Sequence, residues 1–194
     1  MDALGLFLLR YHAVHGGFVD DLFAGLTDAQ VRTRPHGLNS VAWLVWHATR
    51  VEDAAVNRFV TDRPQVLTEE GWLDRLGVAR RDVGSGMPSA DVDALSARID
   101  TEALRGYARA VAERTRAVAG SLAPAAWDEV VPPDRIHHVV ADEALLVDAG
   151  LWVEDFWARG HARGWYLLQT ALLHPYAHWF EAMATRGQLG APGR

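Results

Sequence analysis

Two histidines four residues apart are the first sign of chemistry in this sequence. His174 and His178 stand in the stretch LLHPYAHW, residues 172–179. Residues four apart share one face of an α-helix, so the two imidazoles are expected to be neighbours in space. The flanking residues are apolar, which predicts that this face points into the core. Buried ring nitrogens need partners, and a metal ion is one such partner.

His47 is the third member of the predicted site. It lies in line with Leu44 and Val51 on the apolar side of a second helical stretch. A lone histidine in such a place is more often a hydrogen-bonded core residue. If the two helices face each other, however, three imidazoles converge on one point. Three histidines with an open position is the coordination of catalytic zinc sites, so we predict a divalent metal ion, zinc or nickel, at His47, His174 and His178.

Pro175 interrupts this helical pattern directly after His174. Because proline lacks an N–H group and its ring displaces a backbone carbonyl, it predicts a kink or bulge that re-aims His174. The alternative is two shorter helices, with Pro175 near the start of the second. The continuous apolar line of Leu168, Leu172 and Trp179 favours one kinked helix. A proline at position 175 also excludes the HExxH motif of zinc proteases, which needs glutamate there.

The elements that must position these histidines follow from hydrophobic periodicity. Helices are predicted at roughly 3–25, 40–61, 101–122 and 161–186, with Asn39 or Ser40 as the N-cap of the second. No repeated strand pattern accompanies them, so the expected fold is an all-α four-helix bundle in a single domain, residues 1–194. Long loops separate helices 2–3 and 3–4, and residues 123–160 could form short helices or strands.

Composition excludes several function classes. The chain has no cysteine, which excludes zinc-thiolate sites and a protein thiol nucleophile, and no lysine, which excludes Schiff-base chemistry. A formal net charge of −6 argues against nucleic-acid binding. There is no apolar run long enough to span a membrane and no signal-peptide pattern at the start. We therefore expect a cytoplasmic protein that binds neither nucleic acid nor membrane.

Two longer strings carry a family resemblance. LNSVAWLVWHATRVED, residues 38–53, and GWYLLQTALLHPYAHWFEAMATRGQLG, residues 164–190, resemble the DinB-like superfamily of metal-binding four-helix bundles. That superfamily includes bacterial thiol S-transferases and the N-terminal domain of mycothiol-dependent maleylpyruvate isomerase. The resemblance implies metal ligation by His47, His174 and His178, an up-down-down-up helix order and a homodimer. Residues 123–160 depart from the family pattern by their length.

The resemblance suggests a low-molecular-weight thiol as a second cofactor: mycothiol, bacillithiol or glutathione. The expected activity is then a metal-dependent transfer or isomerisation in which this thiol attacks a small-molecule electrophile. The same site with water alone would support hydrolysis, and the residues do not choose between the two. A third alternative is a non-catalytic, stress-related binding protein.

Several neighbouring residues have two interpretations each. Glu181 either orients an imidazole or supplies a fourth ligand, unless it is simply solvated. His15 and Tyr11 either line a pocket or pack in the core. Arg50 either binds a substrate carboxylate or lies at the surface. The tryptophans that flank the predicted ligands are expected to be core residues: Trp43, Trp46 and Trp179.

Overall fold

The computed structural model describes residues 2–190, and every regular element in that range is helical. The only strand-like feature there is an isolated bridge between Val130 and Ala162. The predicted all-α class is therefore confirmed, while the up-down-down-up order stays a prediction. The α-helices are α1 Ala3–His15, α2 Phe18–Phe23, α3 Asp28–Arg32, α4 Val41–Asp53, α5 Val66–Glu69, α6 Trp72–Arg75, α7 Ser89–Arg98, α8 Thr101–Ser121, α9 Pro133–Asp142, α10 Trp152–Trp157, α11 Arg163–Leu168 and α12 His174–Gln188.

The first predicted helix is two helices. Residues 3–25 break at Gly16 and Gly17, between α1 and α2. Gly17 has φ +98°, a left-handed conformation that favours glycine. A Cβ atom on Gly16 would lie 2.5 Å from the carbonyl oxygen of His12. The apolar period continues across the break, so periodicity alone predicted a single helix.

The fourth predicted helix is continuous but contains a wider turn. Between α11 and α12, residues Gln169–Leu173 form a π-helix, and the flanking backbone angles stay right-handed helical. Pro175 follows directly in the first turn of α12. Because Pro175 has no N–H group, the carbonyl of Ala171 lacks its usual helical donor. The His15 ring lies 2.9 Å from that carbonyl through Nε2 and replaces the donor. The expected bulge beside His174 is thus present.

Residues 123–160 consist of short helices joined by turns. A 3₁₀-helix at Pro124–Asp128 precedes α9, and another at Asp148–Gly150 precedes α10. These pieces pack on the second of two apolar clusters, with Ile136, Val139 and Trp157 buried. The helical alternative for this segment is therefore the observed one.

Helix α4 lies at the centre of the molecule. All thirteen of its residues are buried, and it packs mainly against α12 and α8. Its N-cap is Ser40, whose hydroxyl accepts a hydrogen bond from the backbone N–H of Trp43. A π-helix at Ala54–Val60 continues it. The predicted facing of the second and fourth helical stretches is confirmed by the contact of α4 with α12.

Arg50 on α4 has neither of its predicted roles. Its guanidinium is fully buried and donates to the side chain of Gln65 at 2.6 Å, to the Tyr107 hydroxyl at 3.1 Å and to the carbonyl of Arg81 at 2.5 Å. Asp53 lies 3.5 Å away and neutralises its charge. Arg50 is therefore part of a buried polar network and is not available to bind a substrate carboxylate.

The surface supplies two further observations. No helix within residues 2–190 combines the length and the apolar content needed to cross a bilayer. Helix α12 and the turn before it expose apolar side chains at spacings of three and four: Leu173, Tyr176, Phe180 and Met183. Exposed apolar stripes of this kind are typical of interaction surfaces. The homodimer stays a prediction.

Removing the Tyr107 hydroxyl should destabilise the fold. This hydroxyl donates to Asp53 at 2.6 Å and accepts from Arg50, so Tyr107→Phe leaves both buried partners short of a hydrogen bond. We expect the free energy of unfolding to fall by about 1–3 kcal/mol in chemical denaturation. Tyr176→Phe is the matched control, because Tyr176 is half exposed and its loss should cost less than about 0.5 kcal/mol. Equal effects of the two substitutions would contradict a role for the network.

Candidate metal centre

The three predicted histidines meet in space. One ring nitrogen from each of His47, His174 and His178 lies within 4.8 Å of the other two. The Nε2 atoms of His174 and His178 are 3.2 Å apart. Two nitrogens bound to one tetrahedral zinc ion at about 2.0–2.1 Å would be separated by roughly 3.3–3.4 Å. The His174–His178 pair therefore has the spacing of two ligands of one metal ion, His47 lies close by, and metal binding itself stays a prediction.

The opposite ring nitrogens fix which atoms face the centre. Nδ1 of His47 donates to the backbone carbonyl of Val83. Nδ1 of His178 donates to the Glu181 carboxylate at 2.9 Å. In a neutral imidazole only one nitrogen carries a proton, so both rings present an unprotonated Nε2 to the cluster. This is the tautomer that a metal ion requires.

His174 supplies an independent test of the fit. Its Nδ1 atom is buried and has no hydrogen-bond partner among the described residues. Its Nε2 atom meets the Nε2 atom of His178, which is itself an acceptor. Two Nε2 atoms at this distance need a proton or a cation between them, and a divalent ion would pair with both, although it would leave Nδ1 unpaired. The residues present thus fit a divalent metal ion.

Burial keeps the imidazoles of His47 and His174 neutral. Desolvation, followed by the nearby His178, lowers the pKa of His47 from 6.5 to about 4. Desolvation also holds the pKa of His174 well below its ordinary value, with further contributions from His47 and His178. Both rings are therefore in the metal-binding form at neutral pH.

A loop after α6 completes the surroundings of His47. Gly84 in this loop has φ +90°, and a Cβ atom there would lie 2.7 Å from the Trp46 ring and 3.1 Å from Nδ1 of His47. Only glycine permits this close approach, which brings the Val83 carbonyl to the histidine. The other face of the His47 ring stacks on Trp43 with centroids 4.8 Å apart. Sequence analysis predicted a long loop here but not its contact with His47, because the glycines do not reveal which ring they approach.

Glu181 orients an imidazole rather than acting as a ligand. One carboxylate oxygen accepts from His178, and the other accepts from the side-chain amide of Asn39 at 3.2 Å. The hydrogen bond from His178 lowers the pKa of Glu181, although partial burial opposes it. Carboxylate partners of this kind fix the ring orientation of metal-binding histidines.

His15 and Tyr11 pack in the core. Their rings stack with centroids 4.2 Å apart, and the Tyr11 hydroxyl donates to the buried Glu52. Trp179 also follows the core interpretation, because its ring N–H donates to the carbonyl of Val14 at 3.1 Å. Within residues 2–190, no histidine beyond the three predicted ones joins the metal-type cluster.

Comparisons with known proteins agree with this description. The family model described as the DinB superfamily matches residues 19–147, a range that contains His47 and ends before His174 and His178. A crystal structure described as the conserved protein of locus from Enterococcus faecalis has a TM-score of 0.74, with 17% identity over 99% of each chain. At that identity the likeness concerns the fold alone. No curated protein gives a significant match.

Acidification should destabilise the metal-free protein through His47. Between pH of about 6.5 and about 4, the unfolded chain binds a proton at this residue while the folded chain does not. The free energy of unfolding therefore decreases as the pH is lowered through this window, by up to about 3 kcal/mol. Urea denaturation in the presence of a chelator measures this slope.

Two variants make this test specific. His47→Gln should flatten the pH dependence, whereas His12→Gln should leave it unchanged, since His12 is exposed and outside the cluster. An undiminished slope in His47→Gln would assign the effect to other groups.

Proposed function

The chain belongs to the DinB superfamily, and on that premise we propose that it is a metal-dependent enzyme that uses a low-molecular-weight thiol. His47, His174 and His178 hold one divalent ion, zinc or nickel, and the reaction is a transfer or isomerisation on a small-molecule electrophile. The observation that carries this proposal is the cluster of three ring nitrogens within 4.8 Å of one another. The thiol is mycothiol, bacillithiol or glutathione, and its reduced pool places the protein in the cytoplasm.

The charge of the three histidines determines which further ligand the metal ion would prefer. Three neutral imidazoles cancel none of the charge of a dication, so an anionic ligand is preferred at the remaining position. When bound, the ion lowers the pKa of a coordinated thiol or water. Since the sequence contains no cysteine, a thiol nucleophile has to come from a small molecule.

No further carboxylate joins the cluster. Among the described residues, no aspartate or glutamate oxygen lies with the three ring nitrogens. Glu181, the nearby carboxylate, is engaged by His178 and Asn39. A bound zinc ion could activate either nucleophile without such a base, since a free thiol has a pKa near 8.5 and zinc-bound water has a pKa of about 7. The preference for a thiol therefore rests on the family, and hydrolysis is the alternative.

Metal content tests the ligand assignment. The wild-type protein should bind one divalent ion per chain, and His47→Ala should lose it. Because a direct ligand is removed, the affinity should fall by more than the roughly 10–100-fold typical of losing an orienting partner. His137→Ala is the matched control and should keep full metal content. Elemental analysis and chelator competition measure both quantities, and stoichiometric metal in His47→Ala would refute the assignment.

Thiol binding is tested with the cobalt-substituted protein. Addition of mycothiol, bacillithiol or glutathione should change its visible spectrum, because a thiolate enters the coordination sphere. The same addition to His47→Ala should leave the spectrum unchanged.

The other outcomes separate the alternatives. An unchanged wild-type spectrum together with ester or amide turnover in the absence of thiol would indicate a hydrolase. If metal removal altered neither the melting temperature nor any tested activity, the protein would be a non-catalytic binding protein.

A further inference from the structure

A cavity of about 260 Å³ adjoins His174 on the side of α10. This volume is slightly below the roughly 300–1,000 Å³ typical of ligand pockets, so the cavity suits a small molecule. Helix α10 forms one wall with Trp152, Phe156 and Trp157. The π-helix before α12 contributes Gln169 to the lining. The cavity therefore reaches the proposed metal centre through one of its ligands.

The walls of this cavity are apolar and uncharged. Aromatic rings dominate one side, and Val51 and Val153 add aliphatic surface. No aspartate, glutamate or arginine is among the lining residues. Without a bound metal ion, an ionised group against these walls would lose hydration without gaining a counter-charge, which is costly. The cavity thus favours an uncharged molecule with a flat apolar body.

Two polar side chains in the lining are free to bind a ligand. Within residues 2–190, neither the Ser85 hydroxyl nor the Gln169 amide has a hydrogen-bond partner. Thr170, in contrast, donates to the carbonyl of Tyr166 at 2.7 Å and is already satisfied. A glutamine amide offers both a donor and an acceptor. Together these groups match a carbonyl, amide or hydroxyl on the ligand.

The position of the aromatic wall depends on a close contact between two loops. A Cβ atom on Gly150 would lie 2.2 Å from the carbonyl oxygen of Ser85, and one on Gly86 would lie 2.4 Å from the backbone nitrogen of Gly150. These glycines allow the turn before α10 to pack on the loop that holds His47. Helix α10 begins after residue 147, where the family match ends. The wall itself therefore lies outside the matched range, and the loop on which it packs, with Ser85 and Gly86, lies inside it.

We propose that this cavity selects the electrophilic substrate, and that the substrate is a small, uncharged aromatic molecule bearing one neutral polar group. The assignment of the cavity ligand as the substrate rests on the proposed function, whereas its chemical class rests on the cavity alone. The aromatic body lies against α10, and the polar group bonds to Gln169 and Ser85. The reacting end points towards His174.

Benzamide and benzoate form a matched pair of probes, because they share one shape and differ in charge. Isothermal titration of the full-length protein in the presence of a chelator, which removes a metal ion that would attract benzoate, should show benzamide binding at one site and benzoate binding at least ten-fold more weakly. The His178→Ala variant should give the same result, since it removes a proposed metal ligand that does not line the cavity. Equal affinity for the two probes in this variant, or no binding of benzamide, would overturn the proposal.

Gln169 locates the binding site. Gln169→Leu should weaken benzamide binding at least five-fold. Gln188→Leu, at the exposed end of α12, should leave it unchanged. Trp152→Ala, which removes an exposed part of the wall, should also weaken binding and serves as a second test if Gln169→Leu folds poorly. Unchanged affinity in both variants would refute the assignment of the cavity.

The two proposals can fail separately. Selective benzamide binding by a protein that neither retains metal nor responds to thiol would leave the cavity assignment standing and refute the thiol-dependent enzyme. A metal centre that responds to thiol, in a protein that does not bind benzamide, would support the thiol-dependent enzyme and refute the assignment of the cavity.

Discussion

The requirement that polar groups be paired once they are buried governs this structure. Helix α4 is enclosed along its whole length, yet it carries a histidine, an arginine and two acidic residues. Leaving any of them unpaired would cost free energy that a helix of this size cannot recover from packing alone. Each is therefore tied to a particular neighbour: His47 to Val83, Arg50 to Arg81, Glu52 to Tyr11 and Asp53 to Tyr107.

These pairings also connect the core to the site. The loop that receives Arg50 at Arg81 presents the Val83 carbonyl to His47 two residues later. On the opposite side, the π-helix and Pro175 free a carbonyl that His15 binds. The three clustered rings thus lie between the loop that binds Arg50 and the π-helix whose free carbonyl is bound by His15. Hydrogen bonds on Nδ1 hold the rings of His47 and His178, as a pre-organised set of metal ligands would require.

The fold class and the meeting of three histidines were predictable, because both depend on periodicity. Residues His47, His174 and His178 lie on apolar helix faces, and two such faces in one helical protein tend to pack together. The break at Gly17 was missed, since an apolar stripe can continue through a change of direction. The burial of Arg50 was also missed, because its partners Gln65 and Tyr107 come from distant segments that no local pattern connects. The role of the Val83 carbonyl could not be predicted either, because a backbone group is present in every residue and gives no sequence pattern.

The ligands and the cavity wall come from different parts of the chain. The histidines lie on α4 and α12, which are fixed by the central core, while the aromatic surface lies on the six-residue helix α10 at the end of an irregular connection. If the two proposals hold, substitutions in α10 would alter selectivity while the histidine cluster stays intact. Gene duplication followed by drift in this short helix would then generate paralogues with new specificities around an unchanged set of metal ligands.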